Sequence, residues 1–145
     1  MDERDQLIVT ELRKDGKATL TGISKATKTP ISTLHERFRK LACINRFVML
    51  VDFVKVGFPV RRMYAVELRR ALPDDLLNSA NINTLSQLSR GGDVFIDALF
   101  KTSAEADAFE EALGRVVKRV QVIHVLTELK RETLLTDSAH WIFPE

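Results

Sequence analysis

The segment Lys14–Leu41, KDGKATLTGISKATKTPISTLHERFRKL, holds two short helical patterns that meet across a tight turn, and this restricts the fold more than any other feature. Leu20, Ile23 and Ala26 face inward in the first pattern. In the second, Ile31, Leu34, Phe38 and Leu41 recur three, four and three residues apart, the spacing of one buried helix face. The remaining faces of that second helix are polar and basic. Two helices in this relation form a helix-turn-helix, which points to a protein that reads duplex DNA.

The charge distribution agrees. Between Arg13 and Arg46 nine Lys/Arg stand against two acids, whereas the whole chain carries only +2. Residues 1–56 sum to +4 and residues 57–145 to −2, so a basic front is joined to a mildly acidic back. A basic helix is more often just a solvated face, so the charge supports the motif and does not replace it.

Local signals set the helix limits. Asp2 is a good N-cap with Asp5 three positions on, Leu7, Ile8 and Leu12 give a buried stripe, and Asp15-Gly16 ends the first helix. Thr19 caps the second helix, in which Gly22 is a weak point. Thr27-Lys28 form the turn, and Thr29-Pro30 read as N-cap and first helical residue of the third. The N-terminal part of that recognition helix is expected in the major groove. There Ser32 and Thr33 can approach phosphates or base edges, and His35 and Arg37 can reach further, arginine's fork matching guanine. Lys28, Arg39 and Lys40 suit phosphate contacts. Glu36 either accepts from cytosine or pairs with Lys40, and the intrahelical pair is favoured. With Pro30 at the helix start, the candidate DNA-contact set is Lys28, Pro30, Ser32, Thr33, His35, Glu36, Arg37, Arg39 and Lys40.

Phe47–Val56, FVMLVDFVKV, is β-branched and partly alternating, and predicts a strand, with Gly57-Phe58-Pro59 as punctuation. Beyond it the pattern gives a strand over VRRMYAVELRR, a short helix after Pro73, a strand over INTLSQLS and a turn at Gly91-Gly92. A third strand covers DVFIDALFKT, a helix runs from Ser103 with Ala106, Phe109, Leu113, Val116 and Val117 on one face, and a fourth strand covers RVQVIHVLTEL. The order β-α-β-β-α-β is the ferredoxin-like motif, with both helices on one side of an antiparallel sheet. Its other side is open and predicts dimerisation through the sheets. The large apolar groups Trp141, Ile142 and Phe143 predict a tail that packs on its own chain or on a second subunit.

Composition narrows the class further. An ordinary hydrophobic content, no apolar run of membrane-spanning length and no leader pattern suggest a cytoplasmic protein. A single cysteine, Cys43, excludes an intramolecular disulfide and is expected to be buried. His35, His124 and His140 fall on separate elements, and no P-loop, dinucleotide turn or nucleophile elbow is present. No enzyme activity, cofactor or metal is therefore expected.

With both halves read, the chain resembles the Lrp/AsnC (feast/famine) family of prokaryotic transcription regulators over nearly all of residues 2–132. The residues that carry this are Asp5 before Leu7-Ile8, Lys14-Asp15-Gly16-Lys17, Leu20 and Ile23, Ser32-Thr33-Leu34-His35, Arg37-Phe38-Arg39-Lys40-Leu41, Gly57, and Gly92-Asp93. Three positions depart from the family pattern. Lys28 replaces the turn glycine, Gly22 replaces a glutamate, and Asn45 replaces the glycine after the recognition helix.

The resemblance implies an α+β protein: an N-terminal winged helix-turn-helix (1–46), a strand linker (47–59), a C-terminal ferredoxin-like βαββαβ domain for ligand sensing and oligomerisation (60–132), and a tail (133–145). It also implies homodimers, often assembled into octamers, acting on double-stranded DNA. An amino-acid effector would bind near Arg90, Gly91, Gly92 and Asp93, where glycine amides can cup a carboxylate. Two alternatives remain at this point. One is an enzyme like the sirohaem decarboxylases of the same architecture, disfavoured because their His-Asn-Tyr run is missing. The other is an architectural DNA-binding protein with little sequence preference.

Overall fold

A computed structural model describes residues 1–88 and 93–141. The chain divides into two compact units, Met1–Leu50 with Leu129–Glu145, and Val51–Glu128.

The first unit is built on three helices, α1 (Glu3–Lys14), α2 (Leu20–Thr27) and α3 (Ile31–Lys40). α1 opens on a capping box in which the Asp2 carboxylate accepts from the Asp5 N–H at 3.0 Å and Asp5 accepts from the Asp2 N–H at 3.1 Å. The Thr19 hydroxyl caps α2, accepting from the Gly22 N–H at 3.1 Å. Ile8, Ile23 and Leu34, one from each helix, form the buried centre, with Leu12, Ala18, Leu20, Phe38 and Leu41 packed around it. Burying one side chain from every helix is what makes three short helices stable together.

Several readings of this region are corrected. Thr29 is not the cap of α3. Pro30 takes that position, extended and without a side-chain cap bond, while Thr29 is buried and its hydroxyl donates to the Thr27 carbonyl. The shift by one residue leaves Ile31 at the open start of the helix, 42% exposed instead of buried. Cys43 is exposed. The helix stops at Lys40, and Leu41 packs against the buried centre from just beyond its end.

No residue from Phe47 to Pro59 lies in a strand, so neither wing nor linker strand forms within one chain. Residues 53–57 are a turn, closed by the Phe58 N–H on the Phe53 carbonyl at 2.8 Å, with Gly57 at φ 93° where a side chain would strain the backbone. Backbone groups of the segment bond locally instead, through the turn at 53–57. This leaves Phe47, Val48, Met49, Leu50, Val54 and Val56 more than half exposed.

The segment after Leu129 packs on α1. The Trp141 indole N–H donates to the buried Thr10 hydroxyl at 2.9 Å, and Arg13 reaches the Glu132 carboxylate and the Glu132 and Leu134 carbonyls, each at 3.0 Å. The tail therefore packs on its own chain at Trp141; Ile142 and Phe143 lie outside the described residues.

The second unit has β1 (Val60–Leu68), α4 (Asp74–Leu77), β2 (Ile82–Gln87), β3 (Asp93–Phe100), α5 (Ser103–Gly114) and β4 (Val117–Val125). The sheet order is β2-β3-β1-β4, antiparallel throughout, as the βαββαβ pattern requires. Its core combines Tyr64, Val66, Ile96, Ala98 and Phe100 from the sheet with Leu76, Ala106, Phe109 and Leu113 from the helices. Phe109 tilts against both Tyr64 and Phe100 at ring distances of 5.5 and 5.4 Å. Arg62, on the same face, is buried and answered by Glu110 at 2.7 Å and Asp107 at 2.9 Å, and the Tyr64 hydroxyl donates to Glu110.

Alternation along the strands places Met63, Ala65, Phe95, Leu99 and Ile123 on the opposite face, which no helix among the described residues of this unit covers. Set in that apolar face is a polar cluster. Buried Asp97 accepts from Arg61 Nε at 2.7 Å and Nη2 at 2.9 Å and from the Asn83 amide at 2.8 Å, and Arg61 also pairs with Glu128.

Candidate nucleic-acid interface

The candidate contacts gather on α3 and the turn before it. Leu34 is the fully buried anchor of α3, and Phe38 packs beside it. Because side chains three and four apart share a helix face, this anchoring turns Ser32, His35, Glu36, Arg39 and Lys40 outward, and all five are exposed. Thr33 and Arg37 are half-buried. Pro30 and Lys28 are exposed in the turn, where Lys28 takes a left-handed conformation with φ 52° and ψ 33°. That is the conformation for which glycine is the usual residue, so the departure at Lys28 keeps the turn geometry at a conformational cost.

Electrostatics separate these side chains into two groups. Glu36 and Lys40 form the expected pair, at 2.7 Å and largely exposed. Lys40 holds the Glu36 carboxyl below its ordinary range, chiefly by donating to it. Arg37 departs from expectation. Instead of reaching outward its Nη1 lies 2.6 and 2.8 Å from the Asp2 oxygens and 2.7 Å from Asp5 Oδ1. Its donation holds the Asp2 carboxyl below the usual carboxylate range, and the two acids raise Arg37 further, so it stays a cation at any workable pH. The net charge of that trio is −1. His35, Arg39, Lys28 and Lys40 are left as the outward-facing basic groups of the set.

Beside α3 lies a cavity of about 440 Å³ lined by apolar groups, among them Leu12, Leu20, Ile23, Phe38 and Phe47, with His35 and Arg39 at its edge. Phe47 closes one side by stacking on Phe38 at 6.0 Å with the rings 3° from parallel.

Of the effector-loop residues, Arg90, Gly91 and Gly92 lie outside the described residues. Asp93 is half-buried at the start of β3, and its carbonyl accepts from the Leu88 N–H at 2.9 Å. Among the described residues no group of three His, Cys, Asp or Glu is placed to hold a metal ion, and no helix is long and apolar enough to cross a membrane. Thr10 and Arg13, which hold the tail, had no sequence signal, because their partners are more than a hundred residues away.

No family model matches the chain. The HTH-type transcriptional regulator FL11 of Pyrococcus abyssi is 27% identical over 94% of this chain and 95% of its own length. Its counterpart in Pyrococcus horikoshii is 28% identical over the same shares. Among solved structures, a transcriptional regulator of Neisseria meningitidis in complex with L-Met superposes with a TM-score of 0.80 at 19% identity, covering 90% of this chain and 93% of that one. LrpC of Bacillus subtilis gives 0.79 at 18% identity, covering 90% and 97%. Both units are thus matched in order and nearly end to end. The chain has the fold of solved Lrp and AsnC-family regulators and is similar over nearly its whole length to HTH-type transcriptional regulators.

The helical front and the βαββαβ back are the architecture of the Lrp/AsnC fold.

Proposed function

We propose that the protein is a sequence-specific transcriptional regulator that binds double-stranded DNA through α3 as a homodimer or an assembly of dimers, with an amino acid as effector. The observation that carries the reading is the polarity of α3: Leu34 is buried among α1 and α2, while Ser32, His35, Arg39 and Lys40 project together on the exposed side. Ser32 and His35 sit in the first half of the helix, the part that meets base edges in this motif, and Arg39, Lys40 and Lys28 suit the phosphates. Two recognition helices in a dimer would read half-sites about 10 bp apart or a multiple of that.

Dimerisation has two apolar surfaces to draw on, the exposed Phe47–Val56 segment and the open sheet face. A second copy of the segment would offer it a strand to pair with. The domain division offered for the sequence is part of this proposal, with 47–59 acting as the joining segment. An effector at the Asp93 end of β3 is supported by the neisserial regulator, whose structure is an L-Met complex.

Footprinting on genomic and random DNA tests the reading. Discrete protected sites in pairs are expected, and Arg39→Ala should weaken them more than Arg119→Ala, which lies on β4. Uniform protection without preferred sites would support the architectural alternative instead. Adding each of the twenty amino acids to the same titration tests the effector, and at least one should shift the binding curve.

A further inference from the structure

The Arg37 guanidinium rests on the capping box of α1. Asp2 and Asp5 bond each other's backbone N–H groups, so both carboxylates are fixed by the first turn of α1. Onto these fixed acids Arg37 places a single nitrogen, Nη1, within 2.6–2.8 Å of three oxygens. Nη1 has only two N–H bonds, so the three contacts share them and the charge attraction adds to the hydrogen bonding.

The joint is more sheltered than its neighbours. The side chains of Arg37 and Asp5 are 26% and 18% exposed, against 73% and 70% for the Lys40–Glu36 pair, while Asp2 at the rim is 55% exposed. Water therefore screens the Arg37–Asp5 contact less. α3 needs such a restraint. It has no side-chain cap at its start, and Leu34 is its one fully buried residue, with Phe38 and Leu41 only partly so. Arg37 stands three residues after Leu34, and a bond there opposes rotation of α3 about its own axis.

We propose that Arg37 is a positioning residue for DNA reading: it locks the rotation of α3 against α1, so that Ser32, His35 and Arg39 face the duplex together, and it is not itself a reader of bases or phosphates. The inference rests on the DNA-binding reading above. It carries a counter-intuitive sign. Removing an acid from a DNA-binding unit ordinarily strengthens binding, because a like charge is taken away from the phosphates. Here, removing Asp2 or Asp5 loosens α3 and weakens it.

The test uses full-length protein, a duplex that the wild type enriches from a random pool, and an unrelated duplex of the same length, each titrated over a salt series. Asp2→Asn is the leading variant, since asparagine caps a helix as well as aspartate does and only the charge is lost. Affinity for the enriched duplex is expected to fall roughly two- to fivefold. Glu3→Gln removes the same charge from the same turn, outside the joint, and should leave binding equal or tighter. Arg37→Gln should match the loss of Asp2→Asn without changing the salt slope, and Arg37→Lys should restore most of it, because one nitrogen makes all three contacts.

Tighter binding by Asp2→Asn, equal to that of Glu3→Gln, would overturn the proposal. So would a salt slope lowered by about one in Arg37→Gln, the mark of a lost phosphate contact. Asp5→Asn repeats the comparison should Asp2→Asn fold poorly. A wild type that prefers neither duplex would overturn the DNA-binding reading itself, and the inference with it.

Discussion

Lys28 shows how much one residue can say about a turn. Its amide donates to the Ser24 carbonyl and its backbone is left-handed, as the last residue of a helix before a sharp turn often is. A β-carbon there costs about 1 kcal/mol relative to glycine. Lys28→Gly is therefore expected to raise unfolding stability by about that amount in urea titration, and to weaken DNA binding through the lost charge. No gain in stability would mean that the lysine stem makes compensating contacts. The turn itself was legible in the sequence, from Thr27 to Pro30, but its cap was not. Thr29 and Pro30 are both good start signals, and the choice between them depends on how deeply Thr29 is drawn between α2 and α3, where it is buried. Arg37 was misread for a related reason. Helical periodicity puts it on an outer face, and only the approach of α1 brings two carboxylates to meet it.

At the scale of elements, the α1–α3 joint responds to acid. Asp2 is held below its ordinary 3.8, first by Arg37 and then by the Asp5 N–H. A carboxyl depressed in the folded state stabilises it fully above the unfolded value, and that contribution is lost as pH falls through the folded one. The stability advantage of wild type over Asp2→Asn should thus be flat above about pH 3.8 and shrink below it, as read by denaturant unfolding across pH. Glu36, Asp52 and Glu67 are also depressed, but they are common to both proteins and cancel. An advantage that grew on acidification would show that the joint is not ionic. The strands of the second unit were readable because Val94, Ile96, Ala98 and Phe100 alternate cleanly. Phe47–Val56 has the composition of a strand but forms none, because composition does not decide which backbone groups a segment pairs with.

For the whole molecule, self-association should depend on the uncovered sheet face. Ile123 is 41% exposed there and directly opposite Met63 in the register. Placing a charge at that point would leave it unpaired in any sheet-to-sheet contact. Ile123→Lys is expected to lower the molar mass measured by light scattering toward that of a single chain, with little effect on folding because the site is outside the core. Undiminished mass would move the main contact to the Phe47–Val56 segment. The apolar strip was visible in the sequence pattern. The Arg61–Asp97–Asn83 cluster within it was not, since its members come from three strands whose adjacency only the sheet order reveals.

The return of the last segment to the first helix sets a schedule for making the protein. Thr10 is translated 131 residues before Trp141, the side chain that covers it. Arg13 likewise waits for the carbonyls of Glu132 and Leu134. Because chains grow from the N-terminus and domains fold as they emerge, the three helices emerge before the βαββαβ unit, yet α1 gains its cover only after it. A polypeptide halted before Leu129 would carry the recognition helix with its supporting helix still uncovered, so the helical unit attains its final form only after the sheet has been made.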